Sequence, residues 1–236
     1  METEVPALLR RREDIRPERF TFHSSRARMR TVSADELARM ADQSERCAAE
    51  LADARVDVIA YACLVAVMAG KSGHRAAERQ IARAAAANGA DVPVVSSAGA
   101  LVEGLRALGA RRVAIVAPYV RSLTATVCDY IAAEGVEVVD SISLEVPDNL
   151  AVGRIPATQI ADAVRRLDRS RADVLVLSAC VQMPSLAILQ AVEDEVGLPT
   201  LSAASATTYA ILRALDLEPI VPGAGRLLAG GVALRS

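Results

Sequence analysis

"VDVIAYACLV" (residues 56–65) reads against "DVLVLSACVQ" (residues 173–182), with the Ala-Cys pair at the same place in both stretches. The likeness continues downstream, where "DVPVVSSAGALVEGLRAL" (91–108) aligns with "GLPTLSAASATTYAILRAL" (197–215) after one extra residue in the second copy. Two alanine-rich segments can resemble each other by chance. Here the order of the elements and the positions of the Ala-Cys pairs agree together, which favours an internal duplication.

The duplicated unit alternates short apolar runs with helical patterns. Continuous apolar runs such as "RVAIVA" and "DVLVLS" are typical of parallel strands that are covered on both faces. Gly135 and Gly197 end helices, and Pro156 and Pro184 stand where a first helical turn accepts proline. In chain order the pattern predicts helix 4–12, strand 19–23, helix 33–53, strand 56–61, helix 75–88, strand 92–96, helix 98–108, strand 112–117, helix 121–134, strand 136–140, helix 156–167, strand 173–178, helix 184–196, strand 199–202 and helix 205–215.

These elements predict an α/β protein of two pseudo-symmetric, flavodoxin-like lobes with parallel sheets. Lobe one would comprise residues 1–97 and 210–236, and lobe two residues 98–209, with the active site in the cleft between them. The second half opens with the strand 112–117, whose counterpart in the first half would precede Met1. We therefore expect lobe one to lack its first strand. The long loop 141–154 is a candidate lid.

The composition excludes several classes of function. The formal net charge is −2 and 3% of the residues are aromatic, which does not suit a protein that binds nucleic acid through basic and stacking side chains. The longest apolar run, from Val58 to Gly70, is shorter than the roughly 20 residues of a membrane span. The N-terminus, "METEVPALLRRRED", has no unbroken apolar region and does not read as a secretory signal.

The four cysteines stand far apart, without a C-x-x-C pair, and the chain has only two histidines. A zinc site is therefore not expected, and the pattern indicates a cytoplasmic protein with free thiols. Cys47 and Cys128 fall within amphipathic helical patterns, and we interpret them as packing residues.

Cys63 and Cys180 each follow an apolar strand and precede a helix. This places their thiols at the carboxyl ends of strands, where ligands bind in such sheets. Backbone N–H groups and the helix N-terminus point to the same place, which suits anions and is expected to lower the pKa of a thiol. A lone buried cysteine is more often a packing residue. Matched positions in both copies instead indicate two thiols facing one cleft, as a covalent or acid–base pair.

A phosphate-binding loop is the competing interpretation of the region around Cys63. Gly70-Lys71-Ser72 resembles the end of a Walker A motif, which would require glycine where this chain has Val65. The preceding "LVAVM" is too bulky for a backbone cradle around phosphates. We therefore interpret Lys71 and Ser72 as a solvated turn.

With these motifs in view, the chain resembles the maleate cis–trans isomerases of the Asp/Glu racemase superfamily along nearly its whole length. The segments that carry the resemblance are "YACLVAVM", "SSAGALVEGLRAL", "VAPYVRSLT", "VPDNLAVGRIP", "LSACVQMPSL" and "VPGAGRLL". The resemblance implies an Asp/Glu racemase-like fold, a homodimer, and cofactor-independent isomerisation of maleate to fumarate. Arylmalonate decarboxylases and amino-acid racemases of the superfamily differ around one or both cysteine motifs.

The resemblance also assigns roles to residues. It implies that Cys63 adds to the alkene as a nucleophile and forms a succinyl thioether, and that Cys180 donates and accepts the proton at the neighbouring carbon. The substrate contacts that it implies are Tyr119, Asn149 and the backbone N–H groups of Leu64, Val65, Val181 and Gln182. Taken without the resemblance, Tyr119 can equally pack at a strand end and Asn149 can be a turn residue.

The sequence departs from the family pattern at the place of the missing strand. The family carries, directly before "METE", a strand that ends in an asparagine which contacts substrate, and no residue of this sequence takes that place. Two other functions stay open at this point: a cofactor-independent two-cysteine racemase, epimerase or arylmalonate decarboxylase-like enzyme, and an inactive dicarboxylate-binding paralogue. Conversion of maleate to fumarate would distinguish the isomerase from both.

Overall fold

Two parallel sheets flanked by helices make up the fold, which we describe from a computed structural model covering residues 2–70 and 72–231. The strands are β1 Ile59–Tyr61, β2 Val94–Ser96, β3 Arg112–Ala117, β4 Glu137–Ser143, β5 Val174–Ser178 and β6 Thr200–Ser202. The helices are α1 Glu4–Glu13, α2 Ala34–Asp42, α3 Ser44–Asp53, α4 Leu64–Ala69, α5 Gly73–Ala87, α6 Ser97–Ala107, α7 Arg121–Ala133, α8 Asn149–Val152, α9 Ala157–Arg166, α10 Leu189–Val196 and α11 Ala203–Ala214.

The second sheet has the strand order β4-β3-β5-β6, and the first consists of β1 beside β2. All of these pairings are parallel. Each crossover passes through at least one helix, as parallel strands require. The α/β class and the parallel sheets predicted from the sequence are thereby confirmed.

The duplication is visible in the hydrogen-bond register. β1 and β2 pair Ile59 with Val94 and Tyr61 with Ser96, whereas β5 and β6 pair Leu175 with Thr200 and Ser178 with Ser202. A bulge between Val176 and Ser178 absorbs one residue of β5. Cys63 lies two residues after Tyr61, and Cys180 lies two residues after Ser178, so the two cysteines follow equivalent strand positions.

The helices that follow β2 and β6 begin in the same way. Ser96 caps α6 by accepting from the N–H of Gly99, and Ser202 caps α11 by accepting from the N–H of Ser205. A serine at this position satisfies an N–H group that has no partner within the helix. The two copies of the repeated unit therefore begin this helix with the same type of cap.

The largest core cluster lies between α6, α11 and the inner strands β3 and β5. α6 approaches its neighbours closely at Gly104, where an added Cβ would lie 3.1 Å from side-chain atoms of Leu201 and Leu227. β3 and β5 are buried along nearly their whole length, which explains their unbroken apolar sequences. In the described part of the chain, no helix has the length and apolar character needed to cross a membrane.

Three local predictions were wrong. Residues 19–23 form no strand. Their equivalent in the second half is the edge strand β4, which pairs only with β3. The described residues contain no first-half counterpart of β3, so residues 19–23 have no strand to pair with. The helix predicted over 33–53 breaks at Gln43, whose side chain accepts from the N–H of Arg28 at 3.1 Å. The loop 141–154 is mostly regular, because β4 extends to residue 143 and α8 occupies residues 149–152.

Candidate active site

A cavity of about 600 Å³ lies at the carboxyl ends of β1 and β5. All eight residues that the sequence analysis selected line it: Cys63, Leu64, Val65, Tyr119, Asn149, Cys180, Val181 and Gln182. Both copies of the duplicated unit therefore contribute a thiol to one space, as the matched Ala-Cys pairs predicted. Among the described residues, no cluster of three or more His, Cys, Asp or Glu side chains is arranged to hold a metal ion.

Cys63 stands at the junction of β1 and α4. Its backbone is extended (φ −139°, ψ 90°), and it occupies the N-cap position of α4. The N–H groups of Leu64 and Val65, the first two helical residues, have no acceptor within the helix and are available to an anion at this end. Because residues 64–68 are helical and buried, they form no phosphate loop, while Lys71 lies outside the described residues.

Burial dominates the acidity of the Cys63 thiol. The side chain is 8% exposed, and its desolvation raises the pKa to about 12. The N–H of Ala66 in the first turn of α4 acts in the opposite direction, and a negative charge on Cys180 would raise the pKa further. The expectation that the helix N-terminus lowers this pKa was therefore wrong, because the loss of hydration outweighs the favourable backbone dipoles.

This acidity predicts how Cys63 reacts with an alkylating agent. Only the thiolate is nucleophilic, and burial disfavours the thiolate, so at any given pH its population is smaller than that of an exposed cysteine. We expect the rate of Cys63 alkylation by iodoacetamide to rise about tenfold per pH unit from neutral pH upward, without a plateau near pH 8.5. Peptide mass spectrometry at several pH values measures this rate. A plateau below about pH 9 in the folded protein, with the unfolded protein as reference, would show that the helix dipole outweighs burial.

Cys180 lies in the loop between β5 and α10. The N–H of Ala179 still donates to Val116 at 2.9 Å, so the sheet ladder extends to the residue before the cysteine. The hydroxyl of Ser178 donates to the carbonyl of Cys180 at 2.8 Å and ties the loop back to its own strand. Cys180 is partly exposed, whereas Cys63 is buried. The two thiols thus share the cavity in unequal environments.

Tyr119 connects the ends of β3 and β5. It is 3% exposed, and its hydroxyl donates to the carbonyl of Ala179 at 3.0 Å. Burial raises the pKa of Tyr119 well above its usual value, and the proximity of Cys180 and Cys63 raises it further. The hydroxyl is therefore a neutral donor that lies beside both thiols.

Asn149 and Gln182 are in contact and both line the cavity. Asp148 caps α8 by accepting from the N–H of Ala151 at 2.7 Å, and Asn149 is the first residue of that helix. The side-chain amide of Gln182 donates to the backbone carbonyl of Asn149. α8 and the Cys180 loop are therefore joined directly, and the Asn149 amide stands beside the cavity.

Sequence reasoning missed several residues of the cavity wall. Cys47, interpreted as a packing residue, is half-buried and lines the cavity, while Cys128 lies outside it on α7. Tyr61 and the buried Glu4 also line it. The alternation of β1 could have indicated Tyr61, but no local pattern connects Glu4 with the cysteines.

Comparison with known proteins identifies the family. The model of the family described as "Arylmalonate decarboxylase" matches residues 9–228. A maleate isomerase from Geobacillus stearothermophilus is 55% identical over 232 residues, which amount to 98% of this chain and 92% of that protein. The chain belongs to the maleate isomerase family. The resemblance inferred from the cysteine motifs is confirmed, and so is the Asp/Glu racemase-like fold.

Two solved structures of maleate isomerases extend this finding. The Pseudomonas putida enzyme, as a cysteine-to-alanine variant with maleate, is 52% identical with a TM-score of 0.96, over 98% of this chain and 92% of that one. The Nocardia farcinica enzyme, as a cysteine-to-serine variant with a covalently bound succinylcysteine intermediate, is 54% identical with a TM-score of 0.92, over 96% of this chain and 92% of that one. Both family members therefore share the fold of this chain over nearly its whole length.

Proposed function

We propose that this protein isomerises maleate to fumarate without a cofactor, with Cys63 as the nucleophile and Cys180 as the proton donor and acceptor. The observation that carries the proposal is the pair of thiols from equivalent positions that share one cavity, near enough for a charge on Cys180 to raise the pKa of Cys63. The succinylcysteine found in the Nocardia relative supports a covalent route.

The proposed reaction balances with these two thiols alone. The Cys63 thiolate forms a C–S bond to one alkene carbon, and the displaced electron pair moves to the neighbouring carbon and its carboxylate. Cys180 gives its proton to that carbon, leaving a succinyl thioether and a Cys180 thiolate. The former double bond, now single, rotates. Cys180 then takes the proton back, the C–S bond breaks, and fumarate leaves with the Cys63 thiolate restored.

Neutral hydrogen-bond donors suit this reaction better than arginines. We propose that Asn149 and the N–H groups of Leu64, Val65, Val181 and Gln182 bind the two carboxylates, and that the hydroxyl of Tyr119 turns from the Ala179 carbonyl to join them when substrate binds. Such donors stabilise the charge that develops after attack, whereas an arginine would bind substrate and transition state alike. In the described part of the cavity wall the one arginine is Arg26, which pairs with Glu2 at 3.0 Å and is largely exposed.

Replacement of Tyr119 with phenylalanine tests one of these donors. Loss of a hydroxyl that faces developing charge typically reduces kcat by about 10²-fold, and we expect a reduction of that order here. Steady-state kinetics on maleate measure the effect. The variant also leaves the Ala179 carbonyl unpaired, so a thermal unfolding curve is needed to confirm that the protein is folded at the assay temperature. Unchanged kcat in a folded variant would remove Tyr119 from the mechanism.

Proton NMR with maleate tests the proposed function directly. Loss of the maleate vinyl signal and growth of the fumarate signal, together with a succinyl adduct in the intact mass, are the expected results. A racemase or epimerase would instead exchange an α-proton in D₂O, and a decarboxylase would release CO₂ from an arylmalonate. Maleate bound without turnover would indicate a dicarboxylate-binding protein and contradict the proposal.

Three further assignments remain our proposals. We propose the lobe boundaries given above, 1–97 with 210–236 and 98–209, of which residues 232–236 lie outside the described part. The four thiols, unpaired in the structure, suit a reducing compartment, so we propose a cytoplasmic location. The homodimer stays a prediction, which the molecular mass in solution would check.

A further inference from the structure

The carboxylate of Glu4 reaches the segment that follows Cys180. Its Oε1 accepts from the N–H groups of Ser185 at 2.6 Å and Leu186 at 2.5 Å, and its Oε2 accepts from the hydroxyl of Ser185 at 3.1 Å. Glu4 is 7% exposed and Ser185 is 1% exposed. These three bonds join the first turn of α1 to the loop between β5 and α10, across nearly the whole length of the chain.

The chemistry of this contact favours a carboxylate. Three donors converge on the side chain, and an ionised carboxylate accepts from all of them without any rearrangement because it has no N–H or O–H of its own. Glutamine would keep one oxygen for the two backbone N–H groups, but its NH₂ would face the Ser185 hydroxyl, which would have to reverse and accept, and the negative charge would be lost. A buried carboxylate held by backbone N–H groups makes charge-assisted bonds, which are stronger than neutral ones.

α1 provides a fixed base for this contact. Its buried face includes Leu8 and Leu9, and at its other end Arg12, 1% exposed, donates to the carbonyls of Glu218 at 2.6 Å and Ile220 at 3.1 Å. A helix held at both ends cannot shift without breaking several buried hydrogen bonds. The position of the Glu4 carboxylate is therefore set by the core.

The loop that carries Cys180 is held at three places. Ser178 holds the carbonyl of Cys180 at the strand end, Gln182 donates to the carbonyl of Asn149, and Glu4 holds Ser185 where the loop turns toward α10. Loss of Glu4 removes the one of these three contacts that lies nearest to α10. Proton transfer needs donor and acceptor within hydrogen-bonding distance, so a displacement of about 1 Å would slow it strongly.

We propose that Glu4 is a positioning residue for Cys180 in the isomerisation: it holds the loop so that the thiol reaches the substrate carbon next to the one bonded to Cys63. This inference rests on the proposed function. It makes a specific prediction about which step slows. Solvent can protonate the carbanion formed by Cys63 attack, but removing the proton from the succinyl adduct requires a base in place, so the adduct accumulates when Cys180 is displaced.

The test compares Glu4→Gln with Glu13→Gln, a control on the same helix whose carboxylate accepts from the N–H of Phe20, away from the cysteine loop. We expect Glu4→Gln to lower kcat about tenfold or more without raising KM, and to increase the steady-state fraction of succinylated Cys63 in the intact mass. Glu4→Asp, which keeps the acceptor, should restore part of kcat. Glu13→Gln should match the wild type in all three measurements.

Ser185→Ala supplies a second variant in case Glu4→Gln does not fold. It removes one of the three donors, and we expect a smaller loss of kcat with the same rise in adduct. Wild-type kcat and adduct levels in Glu4→Gln, or a raised KM without adduct, would overturn the proposal. An adduct level in Ser185→Ala equal to that of the wild type would also overturn it. Absence of turnover in the wild type would instead contradict the proposed function, so the two failures are distinguishable.

Discussion

Replacing Cys63 with serine is expected to abolish turnover of maleate, with a loss of about 10⁴-fold or more in kcat. A serine hydroxyl at this N-cap position keeps the shape of the site but is a far weaker nucleophile than a thiolate, and no other side chain is proposed to form the C–S bond. Proton NMR of the reaction measures the loss. Intact mass spectrometry should show no succinyl adduct on the variant.

Cys128→Ser is the matched control for this experiment. Cys128 is half-buried on α7, outside the cavity, so its replacement makes the same cysteine-to-serine change without touching the site. We expect wild-type kcat and an adduct level equal to that of the wild type. If Cys63→Ser retained more than about a hundredth of the activity, the covalent route through Cys63 would be wrong.

Replacing Cys180 with serine is expected to cause a comparable loss of turnover, but here the mass spectrum should show a succinyl adduct. A positioned acid–base group contributes roughly 10²- to 10⁴-fold, and serine cannot act as the base that removes the α-proton. Addition of Cys63 to maleate still proceeds with a proton from solvent, so the succinyl thioether is formed and persists. The succinylcysteine in a cysteine-to-serine variant of the Nocardia relative is consistent with this order of events.

Peptide mapping after incubation with maleate locates the adduct in this second experiment. The expected site is Cys63, and the double variant Cys63→Ser with Cys180→Ser should carry none. An adduct on Cys47, which also lines the cavity, would show that a different thiol attacks. Absence of any adduct in Cys180→Ser would mean that Cys180 takes part in the addition itself rather than chiefly in the elimination.

The raised pKa that slows the alkylation of Cys63 also affects how the rate of isomerisation depends on pH. Because burial raises the pKa of Cys63 to about 12, the attacking thiolate is a minor species in the substrate-free protein. Its population grows as pH rises, so the addition step accelerates in the same direction. In the proposed reaction, binding of a dianion opposes the thiolate further, and the proposed neutral donors around the cavity offset this effect.

The sequence by itself determined the repeated architecture and the pair of cysteines that line one cavity. Buried strands such as β3 and β5 have continuous apolar sequences, and Gly135 and Gly197 mark where helices end. The Ala-Cys pairs sit at one place in both copies, and in parallel sheets that place is a strand's carboxyl end. Such signals are local, since they depend on residues within a few positions of each other.

Only the tertiary structure decided the pKa of Cys63, whether residues 19–23 form a strand, and which residues Glu4 contacts. The pKa of Cys63 depends on how fully neighbouring elements remove water from the thiol, and no pattern around residue 63 encodes that quantity. Residues 19–23 have strand-like composition, yet a strand exists only where another strand supplies its hydrogen bonds. The contact of Glu4 with Ser185 joins residues that are 181 positions apart in the chain. Burial, pairing and long-range hydrogen bonds are properties of two or more segments together, which is why one segment's sequence cannot specify them.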